Sequence, residues 1–398
     1  MSDRKGMRDG VVQRGTTWSY VLRVKVPVVD DNGQPVLDDE GNARMTSKPK
    51  WFGGFPTRKA AIAARDEARH GSRQGTWVAP SNITVGAYLD RWIEGHAVDL
   101  KASTEKSYRG NIARYLKPYF GNLRVQELSP TDLSATFKRM HETGGTNGKP
   151  LSPRTVAFAR TVLRMAMQSA ISDRVIAVNP VVGSKLPKAV RPKHSTWTGP
   201  QASTYLEHVN DERFAALWIL ALATGMRRGE LCALRWENVD LKAGVVRVEE
   251  SVTQSAGRRT IGPPKNGDGR SVAIDPRTVA ALKAWRKLQR KERLAAGSIY
   301  KDTDGVVFTW QDGTPTPPDY VSKAFVDSQA DSGLPRLKLH EARHTHATIL
   351  LREGTPVHIV AKRLGHRDPT VTLSVYADVI PEDDGRAVDT FSRAVWGS

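Results

Sequence analysis

The sequence predicts a multi-domain protein, mainly α-helical with small β-sheets (α+β). Three observations carry that expectation. The chain has 398 residues, more than one hydrophobic core usually supports. Strand-like runs are confined to residues 11–52 and to short stretches after 240. Between 83 and 182, and in most of the chain beyond 200, apolar residues recur at helical spacing. The expected organisation is a small sheet-plus-helix module over 1–75, a helical bundle over 82–182, a basic linker over 183–199 and a mixed α/β domain with a C-terminal tail over 200–398.

In the N-terminal module, strands are expected at 11–12, 18–26 and 50–52, separated by turn residues. Residues 30–42 are acidic and contain glycine, as a solvated hairpin loop would. Thr57 is placed to cap a helix through "RKAAIAARDEARH", and "GSRQGTWVAPSN" has the composition of a linker. In the bundle, Val85, Leu89, Trp92 and Ile93 share one helical face. Thr104 is expected to open the next helix, with Tyr108, Ile112, Tyr115, Leu116 and Tyr119 in step. Ser129-Pro130 and Ser152-Pro153 each join a capping hydroxyl to a proline suited to a first turn. Val156, Leu163, Met167 and Ala170 form a core stripe. Lys101, Lys106, Arg109, Arg114, Lys138, Arg154 and Arg160 are expected on outer faces. The adjoining strap, 183–200, has Pro187, Pro192 and Pro200, four basic residues and no apolar period. Its sequence fits a plain linker and a strap lying against phosphate equally well.

Beyond 200, helices are expected near 201–209, 212–223, 228–235, 276–295 and 318–331. Strands are expected at 244–249 and 270–274, joined by a long hairpin, and at 306–310. Thr355-Pro356 starts a short helix that Gly365 ends. Asp368-Pro369 supplies a further cap and first turn. The run "TVTLSVY" alternates with period two, which favours a strand. The cap ahead of it, with the resemblance described below, favours a helix, and a helix is the expectation.

The net charge is +18, from 60 Lys and Arg against 42 Asp and Glu. A long polyanion is the natural partner for that excess, because binding it releases condensed counterions; a protease has no need of such a field. One cysteine, Cys232, excludes an internal disulfide framework and a Cys-rich zinc module. Its setting, Leu231-Cys232-Ala233-Leu234, predicts a buried and inert thiol. No stretch is apolar enough to span a bilayer, and the polar N-terminus has no secretory signature. The expectation is a soluble cytoplasmic protein without membrane contact.

The stretch "KLHEARHTHA" has two readings. His340-Glu341-x-x-His344 matches the H-E-x-x-H helix of zinc proteases. His340-x-x-Arg343 places an imidazole and a guanidinium on one helical face, which suits a phosphate. The zinc reading lacks an obvious third ligand, since only Glu353 is nearby further on, and Arg343 would set a cation beside the metal. Elsewhere, "ATGMRRGELCALRW" places Arg227 at a helix entrance, where backbone N–H groups and a guanidinium fork can share an anion, with Glu230 three residues on to buttress it. Taken alone, such a pair is ordinary surface electrostatics. Lys265, in "PPKNGDGR", sits at a hairpin tip as a mobile amine or a solvated turn residue. His366 comes directly after the Gly365 turn, and Tyr376 lies seven residues past Pro369.

The blocks "TGMRRGEL", "PPKNGDGR", "LHEARHTHAT" and "LGHRDPTVTLSVYAD" occur in the order and spacing of the tyrosine recombinase (phage integrase) family, which residues 200–380 resemble. The bundle resembles the family's core-binding domain, and the first 75 residues resemble the arm-binding domain of large phage integrases. The resemblance implies a catalytic set of Arg227, Lys265, His340, Arg343, His366 and Tyr376, with no cofactor and no metal. Arg227 and Arg343 would fork onto the non-bridging oxygens of a phosphodiester. Tyr376 would attack to give a 3′-phosphotyrosyl bond, and Lys265 would protonate the leaving 5′ oxygen. His340 is suited to accept the tyrosine proton or to orient the phosphate, and His366 to donate to a phosphoryl oxygen. The implied partner is double-stranded DNA carrying attachment sites, held by a homotetramer, with an excisionase and a host DNA-bending protein as accessory factors. The "FSRAVW" tail would dock on a neighbouring subunit or on its own domain. Two departures stand out: Ala342 occupies a position where leucine is common, and the resemblance assigns no role to the acidic loop at 30–42. The alternatives are a type IB topoisomerase-like relaxing enzyme, a DNA-binding regulator without catalysis, and, remotely, the zinc protease.

Overall fold

The protein is described from a computed structural model over residues 10–28, 30, 36–38, 44–73, 77–188, 195–255, 258–264, 267, 269–301, 305–376 and 384–397. It is mainly helical with small antiparallel sheets, as its composition of periodic runs predicts. The chain divides into two compact units, residues 1–190 and 191–398.

The first unit opens with a three-stranded antiparallel sheet, β1 (Val11–Arg14), β2 (Thr17–Pro27) and β3 (Met45–Phe55), in that order. Register pairs Val11 with Tyr20 and Tyr20 with Phe52, so alternate side chains reach one face. Helix α1 (Arg58–Arg73) covers that face with Ala61 and Ala68. Thr57 caps it as expected, its Oγ1 accepting the Ala60 N–H at 3.1 Å. Most of the expected acidic loop lies outside the described residues.

The bundle comes next: α2 (Val85–His96), α3 (Ala102–Asn111), α4 (Lys117–Phe120), α5 (Pro130–Thr143) and α6 (Pro153–Ser172). Helix α3 starts two residues before the expected Thr104, with Lys101 at its N-cap position shortly after a 3-10 turn at Ala97–Asp99. A π-helical stretch, Ile112–Leu116, joins α3 to α4. Pro118, just beyond it, has no N–H to offer the regular ladder. Ser129 and Ser152 both cap: their hydroxyls accept the N–H of Asp132 at 3.2 Å and of Thr155 at 3.1 Å. Tyr88, Leu116, Phe137 and Leu163 fill the core.

Arg160 corrects one expectation. It is half-buried rather than displayed, and donates to the carbonyls of Val181, Val182 and Ser184 and to the Ser184 hydroxyl, at 2.9–3.2 Å. The Lys185 N–H bonds to Ser134 Oγ at 2.9 Å. The early part of the strap is therefore fastened to the bundle.

The second unit contains α7 (Gly199–His208), α8 (Ala215–Thr224), α9 (Arg228–Ala233), β4 (Val239–Asp240), β5 (Val245–Val248), β6 (Ser251–Ser255), β7 (Arg258–Gly262), β8 (Arg270–Ala273), α10 (Pro276–Ala296), α11 (Pro318–Asp327), α12 (Leu339–Arg352), α13 (Val357–Leu364), α14 (Pro369–Tyr376) and α15 (Asp384–Trp396). Strands β4, β5 and β8 form one sheet in that order. The long hairpin expected between β5 and β8 is itself a ladder, β6 on β7. The strand expected at 306–310 does not form; Val306 and Thr309 make only single bridges. Side chains of α10 take its carbonyls instead: Trp285 Nε1 donates to Val307 at 2.5 Å and Gln289 to Val306 at 3.1 Å. "TVTLSVY" is helical, and Asp368 caps it by accepting the Thr370 N–H at 2.8 Å. Cys232 is buried, and burial pushes its thiol up to about 12. Among the described residues, no helix is long and apolar enough to cross a membrane.

Ser152→Ala removes the α6 cap and should lower the stability of the bundle by about 1 kcal/mol, seen as a lower urea midpoint with an unchanged slope. An unchanged midpoint would show that the cap contributes nothing.

Candidate active site

Helix α8 ends at Gly225, whose φ of 62° is left-handed. A Cβ there would lie 2.8 Å from Leu364 Cδ2 and 2.9 Å from His346 Cδ2, so only glycine fits. Two residues later, Arg227 is the N-cap of α9. Its backbone N–H and its Nη1 both donate to Glu230, at 2.9 and 2.8 Å. The sequence pairing of Arg227 with Glu230 is thus realised, and a third party joins it. Arg270, at the start of β8, donates through Nη1 and Nη2 to the same carboxylate, at 3.1 and 2.7 Å. Glu230 is 1% exposed. Burial alone would raise its pKa, but the bonds from Arg270 and Arg227 outweigh that and hold it below the usual carboxylate range. One carboxylate serves two guanidiniums, so this pair keeps a positive excess.

Arg343 enters from α12, 4% exposed. Its Nη1 donates to the Gly225 carbonyl at 2.7 Å, and its Nη2 to the Leu364 carbonyl at 2.6 Å and towards His366 Nε2 at 2.9 Å. Arg227 Nη2 reaches the Gly365 carbonyl at 3.4 Å. The two guanidiniums therefore cross, each holding backbone beside an element that carries another site residue. Gly365 is left-handed, at φ 68°, and a Cβ would come within 2.9 Å of Arg270 Nη1.

His366 has a defined tautomer. Arginine offers no acceptor, so Nε2 must accept from Arg343, which leaves the hydrogen on Nδ1. Nδ1 faces Thr372 Oγ1 at 2.7 Å. Burial, then the charges of Arg343, Arg227 and Arg270, lowers the imidazole to about 4, so it is neutral at pH 7. Thr372 belongs to α14, which ends one helical turn further on, at position 376. A cleft of about 600 Å³ opens beside His366, lined also by Arg247, Arg270, Lys362 and Arg367, with Glu249 on its rim.

Of the expected set, Arg227, Arg343 and His366 meet in one bonded cluster. His340 is exposed in the first turn of α12, its ring edge-on to His344 at 5.0 Å. Tyr376 ends α14, and its side chain lies outside the description. Lys265 lies outside the described residues. The glutamate of the H-E-x-x-H pattern is engaged at home: Glu341 Oε2 accepts the Lys338 N–H at 2.6 Å and caps its own helix. Sequence reasoning missed Arg270, His346, Arg363 and Thr372. Arg270 lay within a recognised block, but its partner Glu230 is 40 residues away. His346 was signalled only by being three residues beyond Arg343.

Comparison with known proteins places this geometry. The profile described as "Phage integrase family" matches residues 200–382, and "Phage integrase, N-terminal SAM-like domain" matches 84–141. A "Tyrosine recombinase XerC-like" protein of Caldanaerobacter subterraneus subsp. tengcongensis is 28% identical over 357 residues, 84% of this chain and 90% of that protein. The ICEBs1 integrase of Bacillus subtilis is 23% identical, covering 84% and 89%. The solved Tn1549 transposon integrase in complex with a circular intermediate DNA shares the fold, with a TM-score of 0.65 at 22% identity over 77% of this chain and 99% of that one. A lambda integrase tetramer bound to a Holliday junction gives 0.57 at 18%, over 96% and 99%. The chain belongs to the phage integrase family of tyrosine recombinases, site-specific enzymes that break and rejoin DNA. The zinc-protease reading of the H-E-x-x-H pattern falls with that result.

Two imidazoles, the half-buried His366 and the buried His346, are lowered to about 4 and about 3. The unfolded chain therefore binds more protons below pH 6.5, and stability should fall as pH drops from 6.5 towards 5. Melting temperature against pH should show that slope, and His346→Gln should make it shallower. An equal slope in the variant would mean that His346 titrates normally.

Proposed function

We propose that this protein is the integrase of a phage or mobile element, cleaving and rejoining DNA through a 3′-phosphotyrosyl intermediate on Tyr376. The observation that carries the reading is the crossed pair Arg227 and Arg343, joined to a neutral His366. Attack on a phosphodiester builds charge on its non-bridging oxygens, and fixed guanidiniums can stabilise that charge without a metal ion. A phenol, with an ordinary pKa near 10, is a better attacking and leaving group than a serine hydroxyl. The ester conserves the bond energy, so rejoining needs no ATP. Thr372 ties α14 to His366 one turn before position 376, which supports delivery of Tyr376 to this pocket. Lys265 is assigned as the general acid for the leaving oxygen, and His340 as proton acceptor or phosphate-orienting group, both by family resemblance.

The partner is double-stranded DNA carrying attachment sites. In the first unit, a groove of about 1030 Å³ is walled by Lys106, Arg109, Arg114 and Arg154 with Tyr115 and Phe158. Basic side chains interleaved with aromatic ones suit a phosphate backbone. On this reading residues 1–75 serve arm-type DNA binding, 82–182 core binding and 200–398 catalysis, with 183–199 as a linker. Four subunits would exchange strands through a Holliday junction, in a bacterial host cytoplasm, with an excisionase and a DNA-bending protein setting direction. Helix α15 exposes Val388, Phe391, Val395 and Trp396, spaced to form one apolar face; this supports docking on a neighbouring subunit. A monomeric topoisomerase-like relaxing enzyme is the second reading, and the N-terminal module and bundle weigh against it.

A nicked duplex from the flanks of the encoding element, incubated with protein in EDTA, should yield a denaturation-resistant protein–DNA band. Tyr376→Phe should lose that band and keep DNA binding. Arg227→Ala and Arg343→Ala should each lower cleavage by roughly 10²–10³-fold with far smaller changes in affinity. A band that persists in Tyr376→Phe, or that vanishes on chelation in the wild type, would overturn the assignment.

A further inference from the structure

Beside the pocket lies a second arginine–histidine pair to which the recombination chemistry gives no role. His346, on α12 and 7% exposed, donates through Nδ1 to the Leu222 carbonyl at 2.8 Å. Its Nε2 accepts from Arg363 Nε at 3.1 Å. Arg363, on α13, sends Nη2 to the Ala223 carbonyl at 2.8 Å. Arg343 takes the carbonyl of Gly225, two residues further on, at 2.7 Å. The last turn of a helix leaves carbonyls without intrahelical partners. At the end of α8 they are taken by side chains from two other helices, and Arg227 stands two residues beyond. The His346 ring also bounds the space around Gly225.

We infer that His346 and Arg363 are positioning residues for DNA cleavage, a latch that clamps the end of α8, and with it Arg227, against the helices carrying Arg343 and preceding His366. The inference rests on the reading of Arg227 and Arg343 as the phosphate-binding pair. Arg363 adjoins Leu364 and Gly365, whose carbonyls Arg343 and Arg227 hold; the latch therefore acts on both sides of their crossing. A neutral imidazole is suited to it because it offers one donor and one acceptor in opposed directions. Phenylalanine at 346 would fill the space and strand two polar groups, the Leu222 carbonyl and Arg363 Nε. Removing Arg363 as well takes away its Nε but strands the Ala223 carbonyl instead, so once either residue is lost the other holds little, and the pair should behave as a unit.

The test uses the full chain, the same nicked duplex and single-turnover adduct formation, with duplex affinity and melting temperature measured alongside. His346→Phe and Arg363→Leu should each slow adduct formation by about a hundredfold, with affinity within about threefold of wild type. The double variant should lose no more than about threefold beyond the slower single, because the pair acts as a unit. His346→Gln, which keeps a donor and an acceptor, should retain most of the rate. The latch is overturned if the single variants cleave normally, if the two single losses multiply in the double variant, or if every rate loss simply tracks a lower melting temperature. A wild-type protein that forms no adduct would instead overturn the active-site reading beneath it.

Discussion

The pocket depends on a carboxylate removed from water. Glu230 is sealed in the interior, where a bare negative charge costs several kcal/mol. It is tolerable only because the backbone and side chain of Arg227 and both terminal nitrogens of Arg270 donate to it. Arg270 Nε continues to the Arg363 carbonyl at 2.9 Å. One buried charge thereby joins the start of α9, the start of β8 and the end of α13. Losing either arginine would leave the carboxylate under-satisfied, and losing the carboxylate would leave two guanidiniums repelling each other. The three residues constrain one another more tightly than any apolar contact at this place could.

A second constraint comes from the two imidazoles. Both lie against arginines, His346 buried and His366 half-buried at the cleft, and desolvation together with those charges holds both neutral. A neutral ring can accept from a guanidinium, whereas a protonated one would add a further cation. The positive charge of the pocket is thus concentrated on groups that cannot lose it, and the histidines act as shaped acceptors. Left-handed turns at Gly225 and Gly365 bring backbone carbonyls close enough to take part, which side chains alone could not arrange.

Much of this was legible in the sequence where the signal is local. The caps at Thr57, Ser129, Ser152 and Asp368 act over two or three residues, and each formed. Arg227 and Glu230 are three apart, and their bond formed as expected. What escaped is non-local. Arg270 meets Glu230 across 40 residues, and Arg363 meets the Ala223 carbonyl across 140. The segment 306–310 looked like a strand because it is apolar and β-branched, but α10 supplies donors that replace a neighbouring strand. Arg160 looked like a surface charge because helical spacing cannot reveal that the chain returns beneath it 21–24 residues later. The "TVTLSVY" run shows the opposite balance: a single aspartate cap and a proline suited to the first turn prevailed over an alternating pattern.

The Thr372 hydroxyl has a consequence for communication between chain segments. It accepts the Nδ1 hydrogen that Arg343 leaves on His366, and it sits on the same short helix that ends at position 376. Were that helix to withdraw, Arg343 would still hold Nε2 as an acceptor, and the Nδ1 hydrogen alone would lose its partner. Docking or departure of α14 would thus be registered as one imidazole donor gaining or losing its partner beside the pocket.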